Sequence, residues 1–216
     1  DKQFFRENYN YRKSLLEFSK ELSHISDIDD LVSKIRSFLN ETVGIEYFNL
    51  RVLSSKYMKA LGLSQDFDLD KLLVNITKHN FGEAVVINAA NISELGVSDN
   101  EKSLLAGINL IIPINHKNEL IGVLTFGSKR SGKAFSEEDI DLLKSFASQS
   151  AVSLENTRLN IEQINKQKYE EEVNIAKRIQ NSLLPKEESA HSRLIISGYS
   201  EPARDIGGDF YDIINI

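Results

Sequence analysis

The residues that could do chemistry lie close to the carboxy end of the sequence. Gly207 and Gly208 lead directly into Asp209, and Asp212 follows three residues later. Glycines let a backbone approach a ligand closely because they lack a Cβ, and carboxylate oxygens are the ligands that hard divalent cations prefer. The segment EPARDIGGDFYDIINI, which reaches Ile216, therefore looks like the beginning of a metal or phosphate site.

Composition excludes several other kinds of chemistry. The 216 residues include no cysteine, which excludes disulfides, thiolate metal sites and cysteine nucleophiles. The net charge of −6 argues against a nucleic-acid partner, which normally requires a basic face. No apolar stretch is long enough to span a membrane, so we expect a cytoplasmic protein without a membrane partner. The histidines lack the spacing of a metal site, and they are His24, His79, His116 and His191.

Mixed helices and strands precede this segment. Apolar residues at helical spacing predict helices over 11–24, 26–44, 68–80 and 98–107. Residues 45–54 alternate, with Phe48, Leu50 and Val52 on one face, which predicts a strand, and residues 83–88 predict a shorter one. Residues 108–130 predict a hairpin of two antiparallel strands around the polar turn NHKNE.

A single long helix is predicted after the hairpin. Ser136 caps it, acidic residues fill its first turn, and no glycine or proline occurs before Pro185, so it would be about 70 Å long. Its distal half carries apolar residues at 161, 164, 169, 173, 176, 179 and 183, a spacing that predicts a coiled coil and a homodimer. The repeat is imperfect because Lys168 and Gln180 fall near the seam. The alternative is a helix that rests on its own domain.

The order of these elements resembles a GAF domain, a sensory α/β module with an antiparallel sheet flanked by helices. The stretch LIIPINHKNELIGVLTFGSKRSGKAFSEEDIDLLKSFASQSAVSLENTRL, residues 110–159, carries most of the resemblance. We therefore expect an N-terminal helix over 1–25, followed by a GAF sensory domain over 26–158. The family's ligand pocket could hold a small molecule or be filled by side chains such as Tyr47, Phe48 and Phe81. The residues of a ligand pocket stay open at this point.

The tail has a second resemblance. AKRIQNSLLP, residues 176–185, and ISGYSEPARDIGGDFYDI, residues 196–213, are similar to the start of a SpoIIE/RsbU-type phosphatase domain of the PPM class. The resemblance implies a linker helix over 159–185, with Ile179, Leu183 and Leu184 at the end that regulates the enzyme. Residues 186–216 would then begin the phosphatase domain with its first pair of strands.

The family's chemistry depends on paired Mn2+ or Mg2+ ions, so the resemblance implies that Asp209 is a metal ligand. The backbone carbonyl of Phe210 is a weaker candidate, and Asp212 is less favoured. The family also needs aspartates from later strands, which this sequence does not contain. We therefore expect an incomplete catalytic site in a sensor and linker fragment. The parent would be a bacterial phosphoserine/phosphothreonine protein phosphatase whose substrate is an anti-sigma-factor antagonist in a partner-switching pathway.

Two other functions remain as alternatives. Gly207 to Phe210 also read GGDF, as in diguanylate cyclases, but in those enzymes an acidic residue follows the aspartate where this chain has Phe210. The second alternative is a GAF-type homodimer that acts as a signalling or interaction module without catalysis.

Overall fold

The computed structural model of the chain divides into two compact units, Asp1–Ile161 and Glu162–Ile216. The predicted N-terminal helix over 11–24 lies outside the part of the chain that the structure describes. That part consists of residues 28–45, 47–64, 66–80, 83–88, 92, 94–185, 189–191, 194–196, 198–202 and 205–214.

The first unit is built on an antiparallel four-stranded sheet. Its strands are β1 (Phe48–Val52), β2 (Val85–Val86), β3 (Leu110–His116) and β4 (Glu119–Phe126), in the order β1-β4-β3-β2. β3 and β4 are the predicted hairpin, and two residues with positive φ, Lys117 and Asn118, join them. The predicted class, an α/β fold with an antiparallel sheet flanked by helices, is confirmed.

Five helices occur in the described residues: α1 (Ile28–Thr42), α2 (Ser55–Leu61), α3 (Phe67–His79), α4 (Asp99–Leu104) and α5 (Glu137–Leu183). The sequence predicts all of them except α2. The capping box expected at the start of α5 is present, since the Asp139 N–H donates to the Ser136 hydroxyl and the Ser136 N–H donates to the Asp139 carboxylate. α5 continues without a break for 47 residues.

The sheet separates two hydrophobic cores. α1 and α5 cover one face, where Phe38 and Phe146 pack with ring centroids 4.7 Å apart. α3 covers the other face, where aliphatic side chains of α3, of the strands and of the segments between them form the second core. They are Leu72, Leu73, Ile76, Val85, Ile87, Leu105, Ile108, Ile111 and Val123. The strand alternation decides which side chain joins which core. Phe48, Leu50 and Val52 point to the α1 and α5 face, whereas Arg51 reaches Asp70 of α3 at 2.9 Å.

The second unit contains the distal part of α5 and a short hairpin of β5 (Ser189–His191) and β6 (Leu194–Ile196). Residues 198–202 and 205–214 form no strand, although the phosphatase resemblance implies a strand pair there. A strand needs a neighbouring backbone to bond with. The described contacts of this segment run instead through side chains, such as the hydrogen bond from the Tyr211 hydroxyl to the Gly198 carbonyl, 2.8 Å.

Candidate functional site

A cavity of about 400 Å³ opens on the side of α3 next to the start of α4. Its volume falls within the range of small-molecule sites. Aliphatic side chains form part of its wall, and amide, imidazole and carboxylate groups form the rest. The described residues that line it are Leu72, Asn75, Ile76, His79, Asn80, Glu94, Leu95, Gly96, Val97 and Glu101.

The hydrogen bonds of the polar lining groups limit what the cavity could do. The Nδ1 atom of His79 lies 2.9 Å from the Asn75 carbonyl oxygen, which only accepts, so Nδ1 carries the proton and Nε2 can accept from a ligand. The Glu101 carboxylate caps α4 and accepts bonds from the hydroxyl and the backbone N–H of Ser98, which lower the pKa of Glu101. The described lining therefore suits the binding of a small polar molecule. It holds no serine, cysteine or lysine nucleophile.

Tyr47 and Phe48, which the family resemblance offers as possible fillers of a pocket, do not line this cavity. Tyr47 is half exposed, and Phe48 is buried in the core on the opposite face, because neighbouring residues of a strand point in opposite directions. Phe81 lies outside the described residues. The space between the sheet and α3 is occupied by aliphatic side chains, chiefly Leu73 and Ile76 against Ile111 and Val123.

A partly buried ionic cluster joins α5 to α2. The Tyr57 hydroxyl donates to Glu155 at 2.7 Å, and Arg158 forms two hydrogen bonds to the same carboxylate, of 2.8 and 3.0 Å. The bond from Arg158 is the main reason why the pKa of Glu155 falls to about 2. Burial, followed by the hydrogen bond to Glu155, raises the pKa of Tyr57 to about 12. The cluster fixes one turn of α5 on the sheet domain.

The Gly-Gly-Asp segment lies against the end of α5 in the second unit. Gln180 makes two hydrogen bonds to the backbone of Gly207, while Asp209 and Phe210 are exposed. Of the linker residues, Ile179 and Leu183 are exposed and Leu184 is half-buried.

The donor set around Asp209 does not by itself fit a divalent metal pair. Within the described residues, no group of three or more histidine and acidic side chains is arranged to hold a metal ion. A Mg2+ or Mn2+ pair needs several oxygen ligands, whereas this segment offers one exposed carboxylate and the Phe210 carbonyl. The roles of Asp209 and Phe210 as metal ligands stay predictions.

Residues 77–156 match the model of the GAF domain family. The fold is GAF-like. The match agrees with the GAF resemblance of the sequence over those residues, and it covers β2, α4, the hairpin of β3 and β4, and the first part of α5. It does not extend into residues 186–216, so the phosphatase resemblance of the tail stays a prediction. No curated protein sequence matches the chain.

Several solved structures are similar to the GAF-like unit. A fragment of a methyl-accepting chemotaxis protein is 21% identical, with a TM-score of 0.49, and covers 66% of this chain and 97% of its own. The GAF domain of a phosphoenolpyruvate-protein phosphotransferase from Coxiella burnetii is 18% identical, with a TM-score of 0.48, and covers 70% of this chain and 96% of its own. A GAF domain/HD domain protein from Geobacter sulfurreducens is 15% identical, with a TM-score of 0.46, and covers 64% and 98%.

One further feature is relevant to function. No helix among the described residues has the length and apolar character needed to cross a membrane.

Sequence reasoning does not reveal the partners of two polar residues described above, Glu155 and Gln180. Glu155 follows the buried Leu154 and looks like an ordinary surface glutamate, because its partner Tyr57 is 98 positions away. For Gln180 the sequence does offer an indication of a specific role, because this polar residue interrupts an apolar stripe. A polar residue near the seam of a coiled coil often has a specific partner.

Proposed function

We propose that the chain is the sensor and linker part of a bacterial metal-dependent phosphoserine/phosphothreonine phosphatase of the SpoIIE/RsbU type. The observation that carries this proposal is the segment from Gly207 to Asp209, which Gln180 attaches to the end of α5. A GAF-like domain followed by a continuous helix, whose end bonds to the segment that carries a candidate metal ligand, is the arrangement expected of a regulated phosphatase. The substrate would be a phosphorylated anti-sigma-factor antagonist.

A phosphatase assay on a longer protein, extended beyond Ile216, tests this proposal. We expect Mn2+-dependent release of phosphate from a phosphoserine protein, and no activity from the 216-residue chain. Asp209→Asn in the longer protein should lower kcat/KM by about 100-fold or more, since even outer-shell changes at metal sites cost about 10- to 100-fold. Asp212→Asn is the matched control and should retain most of the activity.

The two alternatives make different predictions for that longer protein. Diguanylate cyclase activity would appear as formation of cyclic diguanylate from GTP, and it would contradict the phosphatase proposal. A protein without either activity, but with a stable dimer, would favour a GAF-type signalling module without catalysis.

We also propose that a second copy of the chain covers the exposed stripe of α5. Ile164, Ile175, Ile179 and Leu183 are each at least 41% exposed. At 3.6 residues per turn they fall within a sector of about 100° around the helix axis. Val173 and Ala176, which the predicted coiled coil also uses, are half-buried in this chain. The stripe available to a partner helix is therefore shifted from the one that the sequence predicts.

Ile179→Asp tests the dimer. Each buried isoleucine side chain contributes about 1.5–3 kcal/mol, and a dimer would lose two of them, so its Kd should rise by about 100-fold or more. Lys177→Asp places the same side chain on the opposite side of the helix and should leave the Kd unchanged. Light scattering after size exclusion should give twice 24.4 kDa for the wild type and the control. A wild-type monomer at micromolar concentration would contradict the proposal.

In the longer protein, Ile179→Asp should also change phosphatase activity or its regulation, because the dimer would set the arrangement of the linker helix. Unchanged activity and regulation would show that this part of α5 does not transmit a signal.

A further inference from the structure

A single glutamine side chain bonds to both peptide groups of one glycine in the second unit. The Gln180 Nε2 atom donates to the Gly207 carbonyl oxygen at 2.7 Å, and the Gly207 N–H donates to Gln180 Oε1 at 3.0 Å. Only one orientation of the amide satisfies both bonds. The two residues are 27 positions apart and both are half-buried. The pair therefore fixes the backbone of Gly207 in position and in direction.

The surroundings of Gly207 favour this close approach. A Cβ added at Gly207 would lie 3.4 Å from Gln180 Nε2 and 3.6 Å from the Pro202 ring, which is ordinary van der Waals contact, so both groups lie directly beside this glycine. Gly208, by contrast, has open space where a Cβ would lie. The fixed point of the segment is thus Gly207, and Asp209 follows it after one residue.

Gln180 stands where the apolar pattern of α5 favours a hydrophobic side chain. An amide at that place weakens a coiled-coil seam, and its bonds to Gly207 give it a specific partner instead. A rotation of α5 by one residue, about 100°, would move the amide away from Gly207 and break both bonds. The position of the Gly-Gly-Asp segment is therefore coupled to the rotation of the last turns of the helix.

We propose that Gln180 is a positioning residue, which transmits the rotation of α5 to the backbone of Gly207 and hence to Asp209. The effect on catalysis rests on the proposed phosphatase function, whereas the hydrogen-bonded link between α5 and Gly207 does not. A rotation of the last turns of α5 would favour one of two arrangements, in which the Gln180 amide is either bonded to Gly207 or released from it.

Amide hydrogen exchange of Gly207, followed by NMR on the 216-residue chain, tests the link. Gln180→Ala removes both bonds and should speed exchange of the Gly207 N–H by about 10-fold. Gln180→Glu keeps an oxygen that accepts from this N–H but places its second carboxylate oxygen against the Gly207 carbonyl oxygen, so protection should fall between that of the wild type and that of Gln180→Ala. Gln167→Ala changes an exposed glutamine of the same helix and should have no effect. Equal exchange in the wild type and Gln180→Ala would overturn the proposal.

A second change tests whether the link carries a signal from the helix. Lys177→Gly loosens the end of α5 at an exposed position. With Gln180 present, it should speed Gly207 exchange several-fold, and in the Gln180→Ala background it should add nothing. Equal effects in both backgrounds would show that coupling does not pass through Gln180.

Kinetics of the longer protein separate this proposal from the phosphatase proposal. If both proposals hold, Gln180→Ala lowers kcat while KM stays near the wild-type value. Gln180→Glu should have a kcat between those of Gln180→Ala and the wild type. Phosphatase activity that does not respond to Gln180→Ala would overturn the positioning role alone. A longer protein without phosphatase activity, but with the Gly207 protection described above, would overturn the phosphatase proposal alone.

Discussion

Gly122→Ala is expected to destabilise the GAF-like unit by about 3 kcal/mol, because overpacking that forces the backbone to move reaches this size. Gly122 lies on β4 between Val52 of β1 and Ile114 of β3. A Cβ added there would overlap the carbonyl oxygen of Arg51 and lie 3.3 Å from its carbonyl carbon. These are backbone atoms, so no side-chain rotation can make room. β1 would have to separate from β4, with loss of ladder hydrogen bonds.

The sign of the stability change on Gly122→Ala distinguishes a steric clash from an ordinary replacement of a strand glycine. Alanine is otherwise favoured over glycine inside a strand by about 0.5–1 kcal/mol, so an unclashed site would be stabilised. Gly62→Ala is the control, since it has open space and only a positive φ of 68°, and it should cost about 1–2 kcal/mol. Urea unfolding of the three proteins measures the difference. A cost below that of Gly62→Ala would show that the strands separate more easily than their geometry implies.

The hairpin illustrates what the sequence could predict. Alternating apolar residues and a polar turn are local signals, so β3 and β4 follow from them, and Ser136 with Asp139 predicts the start of α5. These signals do not predict the backbone conformation of the turn between β3 and β4. Lys117 and Asn118 both have positive φ, which asparagine adopts readily and lysine does not.

α2 shows where local signals become too weak. It has seven residues, with buried Tyr57 and Met58 adjacent, and neither a helical nor a strand period can be established over so short a segment. Gly62, which ends α2 in the left-handed conformation, is the residue from which the end of this helix could be predicted. The function of α2 also depends on distance in the fold. It presents Tyr57 to Glu155, and no sequence pattern specifies a partner so far along the chain.

The candidate sites likewise divide into one that neighbouring residues in the sequence indicate and one that depends on the fold. Asp209 was identifiable from the residues beside it and from a family resemblance, whereas the cavity beside α3 arises from segments that the fold brings together. Asn75 and His79 lie one turn apart on α3, and Glu94 and Glu101 reach the cavity from the following loop and α4. Each is an ordinary surface residue in the sequence. Only the packing of α3 on the sheet shows that they line one space.

Glu155→Ala is expected to lower the free energy of unfolding by about 3 kcal/mol, the lower end of the cost of removing one partner from a buried ion pair, because Glu155 and Arg158 are partly buried. The Glu155 and Arg158 side chains are 16% and 11% exposed, so water replaces little of what is lost. Tyr57 is buried and would lose the acceptor of its hydroxyl. Glu155→Gln can still accept from Tyr57, so it should cost less. Glu171→Ala, at an exposed position of the same helix, is the control and should change stability by less than about 0.5 kcal/mol.

The stability from Glu155 should depend on pH in a defined direction. Its pKa is about 2 in the folded chain and 4.5 as the reference value, so folding favours the ionised form. The contribution, on the order of 3 kcal/mol, is therefore present above pH 4.5 and is lost as the pH falls through about 2. Glutamine does not ionise, so the gap between the wild type and Glu155→Gln should narrow from pH 6 to pH 3. Denaturant unfolding at several pH values measures this gap. A gap that stays constant would mean that Glu155 stabilises α5 through packing and neutral hydrogen bonds, and that its charge contributes nothing to holding the helix on the sheet domain.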